Sequence, residues 1–224
     1  MFVAVADESD TPALPGVEVE VVAKNVSVGD TLSELINDRD IDLVVISTNG
    51  RSGMRRLVMG SVTDAVVRGT HRPVLVLPPG DGEVGDLRRI MVALDGSLEA
   101  ERSLSATTVL AQASGSEVIL AHVPVEIGED ADAMGPYLDR VARAVKDRDL
   151  EVSTVIGGLE PAESISALAT ERRADMVVVA THGRGGLQRA VIGSVADAVL
   201  RSSEVPVLLV PILERRAPDQ ITVS

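Results

Sequence analysis

Asp42 to Pro78 reads DLVVISTNGRSGMRRLVMGSVTDAVVRGTHRPVLVLP, and Asp175 to Pro211 reads DMVVVATHGRGGLQRAVIGSVADAVLRSSEVPVLLVP. The two stretches align without a gap at a constant offset of 133 residues, and 20 of the 37 positions are identical. Unrelated segments do not match at that level, so the chain carries a tandem duplication. Each copy runs from an apolar strand through a glycine-punctuated loop into a helix and then a second apolar strand. That order of elements sets a phosphate-sized anion against a helix start and points to nucleotide binding.

Outward from the second copy, the pattern of strand and helix repeats. Arg89 to Leu94 (RIMVAL) predicts a strand, followed by Asp95-Gly96-Ser97 and a helix over Glu99 to Ala113, with Leu104, Thr107, Thr108 and Ala111 at helical spacing. Glu117 to Pro124 predicts a second strand, residues 127–136 a loop, and Pro136 to Arg148 a helix with Leu138, Val141, Ala142 and Val145 on one face. A third strand is expected over Glu151 to Ile156. A helix opened by Pro161 follows, up to Arg173, and then strand Asp175 to Ala180, helix Val195 to Arg201 and strand Val205 to Val210. Five strands alternating with helices imply an α/β fold with a doubly wound, open parallel sheet, because such crossovers are almost always right-handed.

The first copy is shorter. Strands are expected at Phe2 to Ala6 and Val17 to Ala23, and a helix at Leu32 to Asn37 capped by Asp30. By the same offset, a counterpart of RIMVALDGS falls before residue 1, so the opening strand and its aspartate are expected to be missing from this copy. The expected organisation is a truncated domain over 1–79, a Gly/Pro/acid-rich linker over 80–87, a complete domain over 88–212 and a tail over 213–224.

Composition narrows the function classes. Aromatics are limited to Phe2 and Tyr137, so the core must come from Val, Leu, Ile, Ala and Met, which suits strands buried on both faces. No apolar run approaches the roughly 20 residues that cross a bilayer, so no membrane insertion is expected and the expected compartment is the cytoplasm. The formal net charge of −13 argues against a nucleic-acid surface, and the absence of cysteine excludes disulfides and thiolate chemistry.

The chemistry concentrates in the second copy's loop, Ala180-Thr181-His182-Gly183-Arg184-Gly185-Gly186, and in Gly193-Ser194 beyond it. Glycines allow a backbone to approach a phosphate, and open N–H groups at a helix start bind the anion, with the Ser194 hydroxyl as a further donor. The first copy offers Ser47 to Gly53 and Gly60-Ser61. The structural alternative is a capping box, Ser194 with Asp197 and Ser61 with Asp64. Three glycines and an arginine in the loop exceed what an ordinary helix entry requires. Asp95 has two readings of equal weight, a ligand group at a strand's carboxyl end or the cap of the next helix. His122, His182 and His71 have neither a partner nucleophile nor metal-ligand spacing, so neither a triad nor a metal cluster is expected.

The pattern Gly-x2-Gly-x9-Gly-Ser/Thr, the strand-one segment VALDGS and the His-Val pair at 122–123 resemble the universal stress protein family, across nearly all of 86–212 and most of 17–79. The resemblance implies a fold like the adenine nucleotide alpha hydrolases and, in many members, ATP or AMP bound between the first and fourth strands. Carried onto this chain, it implies that Gly183, Gly193 and Ser194, helped by Arg184, hold the phosphates, that Ala93 and the backbone of Val123 hold adenine, that Asp95 meets ribose or a magnesium ion, and that Ala180 and Val195 belong to the same nucleotide-binding set. One departure stands out: the first motif glycine is Ala180 here and Ser47 in the other copy. No complete site is expected in the first copy. A nucleotide-sensing stress or signalling module with slow or no hydrolysis is the leading expectation, since the loops hold no Walker A lysine. A pairing scaffold with a vestigial pocket is the alternative, and a hydrolase or transferase would rest on fold analogy alone. The apolar last strands, Pro73 to Leu77 and Pro206 to Val210, are expected to pair in an intrachain pseudo-dimer, with a further homodimer possible.

Overall fold

The computed structural model describes residues 27–39, 41–47, 60–78, 86–124, 131–158, 160–181 and 192–212. The strands expected at Phe2 to Ala6 and Val17 to Ala23, the linker up to residue 85 and the tail beyond residue 212 lie outside the described residues.

In chain order the elements are α1 (Val28–Asp38), β1 (Val44–Ser47), α2 (Ser61–Gly69), β2 (Val74–Leu77), β3 (Arg89–Leu94), α3 (Leu98–Glu101), α4 (Ser103–Ser114), β4 (Glu117–His122), α5 (Ala131–Lys146), β5 (Val152–Ile156), α6 (Pro161–Glu171), β6 (Met176–Ala180), α7 (Ser194–Ser202) and β7 (Val207–Val210). The strands form one seven-stranded sheet in the order β1-β2-β7-β6-β3-β4-β5. All neighbours run parallel except β2 and β7, which are antiparallel. Their register sets Val74 opposite Leu209, Leu75 opposite Leu208 and Val76 opposite Val207. Under the 133-residue offset this register maps onto itself, with Leu75 facing its own counterpart.

The repeat extends beyond the sequence match. α1 and α6, α2 and α7, and β2 and β7 begin and end at positions 133 residues apart. Four helices, α1, α2, α6 and α7, cover one sheet face, where Ile36, Val66, Ile165 and Val199 pack against Ala93, Val177, Val207 and Leu209. On the opposite face α4 and α5 bury Ile90, Val92, Leu120, Val178 and Leu208 beneath Leu104, Leu138, Val141 and Val145. Apolar residues on both faces of the central strands explain their unbroken Val/Ile/Leu runs. β1 has no such double cover among the described residues. Val45 is 39% exposed, whereas its counterpart Val178 is fully buried at 0%.

Three local expectations are corrected. α1 starts at Val28, and its cap is Ser27 rather than Asp30: the Ser27 hydroxyl accepts from the Asp30 N–H at 3.1 Å and donates to the Asp30 carboxylate at 2.6 Å. Asp30 is the third helical residue, and both of these bonds run through the Ser27 hydroxyl. The segment 127–136 is not all loop, because α5 already begins at Ala131 and carries Pro136 inside it. A proline this near a helix start removes one backbone bond without ending the helix. The helix expected over Glu99 to Ala113 divides at Arg102 into α3 and α4.

Candidate functional site

A doubly wound sheet opens a crevice where successive crossovers leave to opposite faces. Here that point lies between β3 and β6, which are hydrogen-bonded neighbours. From β3 the chain passes through α4 on one face to β4, and from β6 it passes through α7 on the other face to β7. In the parallel run β6-β3-β4 the carboxyl ends lie on one edge of the sheet, and these ends and the start of α7 after β6 are the segments that carry Asp95, Val123, Ala180 and Ser194.

The β3 end is a tight turn. Gly96 adopts φ +79°, a left-handed conformation that favours glycine, and this returns Ser97 towards Asp95. The Asp95 Oδ1 accepts from the Ser97 N–H at 2.9 Å and from the Ser97 hydroxyl at 2.5 Å. The Ser97 oxygen in turn accepts from the Ala100 N–H at 3.1 Å, which makes Ser97 the cap of α3. The reading of Asp95 as the helix cap is thereby corrected, since its carboxylate holds the cap residue instead. The Asp-x-Ser spacing is the signal for this turn, and only its aspartate had been singled out.

Backbone accounting refines the other positions. Val123 is 3% exposed, and its N–H donates to the Leu94 carbonyl at 3.0 Å. The His122 carbonyl accepts from Gly157 N–H at 2.8 Å. Ala93 and Ala180 are each 8% exposed near the ends of β3 and β6. After β6 the Thr181 N–H donates to the Val210 carbonyl at 3.0 Å, and the Thr181 carbonyl accepts from Gly193 N–H at 2.6 Å. That last bond ties the two ends of the 182–192 segment together. It also takes up the amide of Gly193.

Gly193 is the residue before α7, and its carbonyl accepts the first helical bond, from Asp197 N–H at 2.9 Å. The N–H groups of Ser194, Val195 and Ala196 fall in the first turn, ahead of the helical ladder, where the positive end of the helix dipole lies. The capping-box alternative does not hold at this helix or at α2. Gly193 and Gly60 occupy the cap positions, and the acids three or four residues on pair elsewhere: Asp197 with Arg201 at 2.8 and 3.0 Å, and Asp64 with Arg68 at 2.7 Å. The forked Asp197–Arg201 pair also offsets the one negative charge in the first turn of α7.

Behind the strand ends stands a polar layer that sequence reading did not assemble. His122, 3% exposed, meets Tyr137 edge to face at 5.5 Å between ring centroids. Tyr137 also carries Arg140 over its ring at 5.3 Å, and Arg140 bonds Glu101 at 2.7 Å. Burial first, and the Glu101 carboxylate second, push proton loss from the Tyr137 hydroxyl well above its ordinary range. These residues come from three elements, α3, β4 and α5, spread over 40 positions, and beyond the Tyr137–Arg140 step within α5 no local spacing brings them together. Among the described residues, no three His, Cys, Asp or Glu side chains cluster closely enough to hold a metal on their own. Gly183 and Arg184, and His182 with them, lie outside the described residues.

The sequence profile of the universal stress protein family matches this chain twice, over residues 3–78 and 86–211. A universal stress protein of Mycobacterium tuberculosis is 31% identical over 194 residues, covering 80% of this chain and 64% of that protein. One from Thermus aquaticus is 31% identical over 135 residues, covering 55% of this chain and 98% of its own length. The chain thus spans between 59% and 64% of the length of the Mycobacterium tuberculosis and Mycobacterium bovis relatives it matches. Among solved structures, a universal stress protein from Archaeoglobus fulgidus superposes with a TM-score of 0.71 at 23% identity, covering 88% of this chain and 72% of that one. That likeness carries the fold, and the two profile matches carry the family. The chain belongs to the universal stress protein family.

Proposed function

We propose that this chain binds an adenine nucleotide, ATP or AMP, in the crevice between β3 and β6, and that it acts as a stress-response or signalling module. One observation carries the reading: the start of α7 is tied to the carboxyl end of β6 by the Gly193–Thr181 bond, and β6 is the neighbour of β3 at the point where the crossovers leave to opposite faces. On this reading the phosphates lie against the N–H groups of Ser194 and Val195 and the Ser194 hydroxyl. Gly193 serves as close-approach backbone rather than as a donor, because Thr181 takes up its amide. Gly183 and Arg184 complete the phosphate side. Adenine rests on Ala93, with the Val123 carbonyl as an acceptor for its amine, and Asp95 faces the ribose. A magnesium ion, if carried in, would arrive with the phosphates and take Asp95 as its one protein carboxylate, in keeping with that ion's habit of retaining waters. The role is that of a binding module in the cytoplasm.

The domain reading belongs to the same proposal: a first unit over 1–79, a linker over 80–87, a second unit over 88–212 and a tail over 213–224. The self-mapping register of β2 against β7 supports an intrachain pseudo-dimer of the two repeats. A scaffold with a vestigial pocket is the competing reading, favoured by Ala180 and Ser47 in place of the first motif glycine.

Calorimetric titration of the purified chain with Mg-ATP and with AMP separates the two. Micromolar dissociation constants that weaken at least tenfold in Asp95→Ala are the expected result. An affinity weaker than millimolar for both nucleotides refutes the binding reading and leaves the scaffold.

A further inference from the structure

We infer that Ser97 is a positioning residue for the nucleotide site, acting through Asp95 and not by touching the ligand. The inference rests on the nucleotide reading above. A carboxylate at the end of a strand is free to rotate about two side-chain bonds, and a ligand that needs one orientation must then supply the ordering. Here Ser97 supplies it beforehand. Its N–H and its hydroxyl both donate to the same oxygen of Asp95, at 2.9 and 2.5 Å. The hydroxyl hydrogen is thus directed to Asp95 while the oxygen's lone pair accepts from Ala100 N–H at 3.1 Å. One buried hydroxyl, on a residue 8% exposed, couples the carboxylate to the start of α3.

The direction of that hydrogen bond separates positioning from capping. A glycine at a helix cap costs little in stability compared with serine, yet it removes the hydroxyl donor to Asp95 and leaves only the backbone N–H. A threonine keeps both the donor and the acceptor. Partners that orient a ligand-contacting carboxylate typically contribute about tenfold or more to affinity.

The test is a double-mutant cycle on the whole chain, with Mg-ATP affinity read by calorimetry and titrations carried into the millimolar range. Ser97→Gly should melt within a few degrees of the parent and bind Mg-ATP about tenfold more weakly. Ser97→Thr should bind within about twofold of the parent, since both hydrogen bonds survive. In the Asp95→Ala background, Ser97→Gly should cause no further loss, because the residue it acts through is gone. Losses that simply add overturn the inference and make Ser97 a general structural cap, as does a Ser97→Gly chain that binds like the parent. Absence of Mg-ATP binding by the parent chain refutes the nucleotide reading itself and this assignment with it, an outcome distinct from either of those.

Discussion

The two copies of the repeat permit a matched-pair perturbation, Val45→Ala against Val178→Ala. The residues are counterparts at the 133-residue offset, on equivalent strands β1 and β6, yet Val178 is 0% exposed and Val45 is 39% exposed. Removing two buried carbons from Val178 forfeits about 1.6 kcal/mol of transfer free energy, at roughly 0.8 per methylene. A void of about 40 Å³ beneath α4 and α5 adds about 1 kcal/mol, at roughly 24 cal/mol per Å³. At Val45 the transfer loss scales with burial to about 1 kcal/mol, and the space left behind opens to water, so there is no cavity penalty. For a chain of this size, about 2–4 °C per kcal/mol converts these into a fall of about 5–10 °C for Val178→Ala and about 2–4 °C for Val45→Ala. Differential scanning fluorimetry at matched concentrations makes the comparison. Equal falls would refute the reasoning, because they would mean that in solution something covers the outer face of β1 as fully as α4 and α5 cover β6.

Tyr137 is the only tyrosine, so its titration can be followed by absorbance near 295 nm without interference. Its proton affinity is raised on folding, so its contribution to stability is full below about pH 10, the unfolded value, and declines as pH rises from there towards the higher folded value. Tyrosinate should therefore emerge only with alkaline unfolding, and its appearance near pH 10 with intact circular dichroism would contradict the buried placement. The junction of the repeats can be tested with Leu75→Cys and Leu208→Cys together in a chain that otherwise has no cysteine. Residues directly opposite on antiparallel strands lie about 4.5–5.5 Å apart at Cβ, so a short reagent with two thiol-alkylating groups should link them within one chain and yield a monomer of altered mobility. Covalent dimers as the main product would instead show that the last strands pair between chains.

The sequence by itself determined the repeat, the alternation of strand and helix and the class of sheet. Apolar runs such as MVVVA at 176–180 and VLLV at 207–210 can be satisfied only by burial on both faces, and the glycine-serine step at 193–194 marks a helix start through local backbone chemistry. Local signals also misled where two nearby residues compete for one role, as with Asp30 against Ser27 and Asp95 against Ser97: either side chain can cap, and only the helix's true first turn decides which one does. What the tertiary structure alone decided is long-range hydrogen bonding and cover. It takes up the amides of Gly193 and Val123 with the carbonyls of Thr181 and Leu94, and it joins β2 antiparallel to β7. It also assembles His122, Tyr137, Arg140 and Glu101 from three elements and leaves Val45 exposed where Val178 is sealed. The physical reason is that a residue's type limits the bonds it can make, while the partner it makes them with depends on which distant segment folding brings alongside.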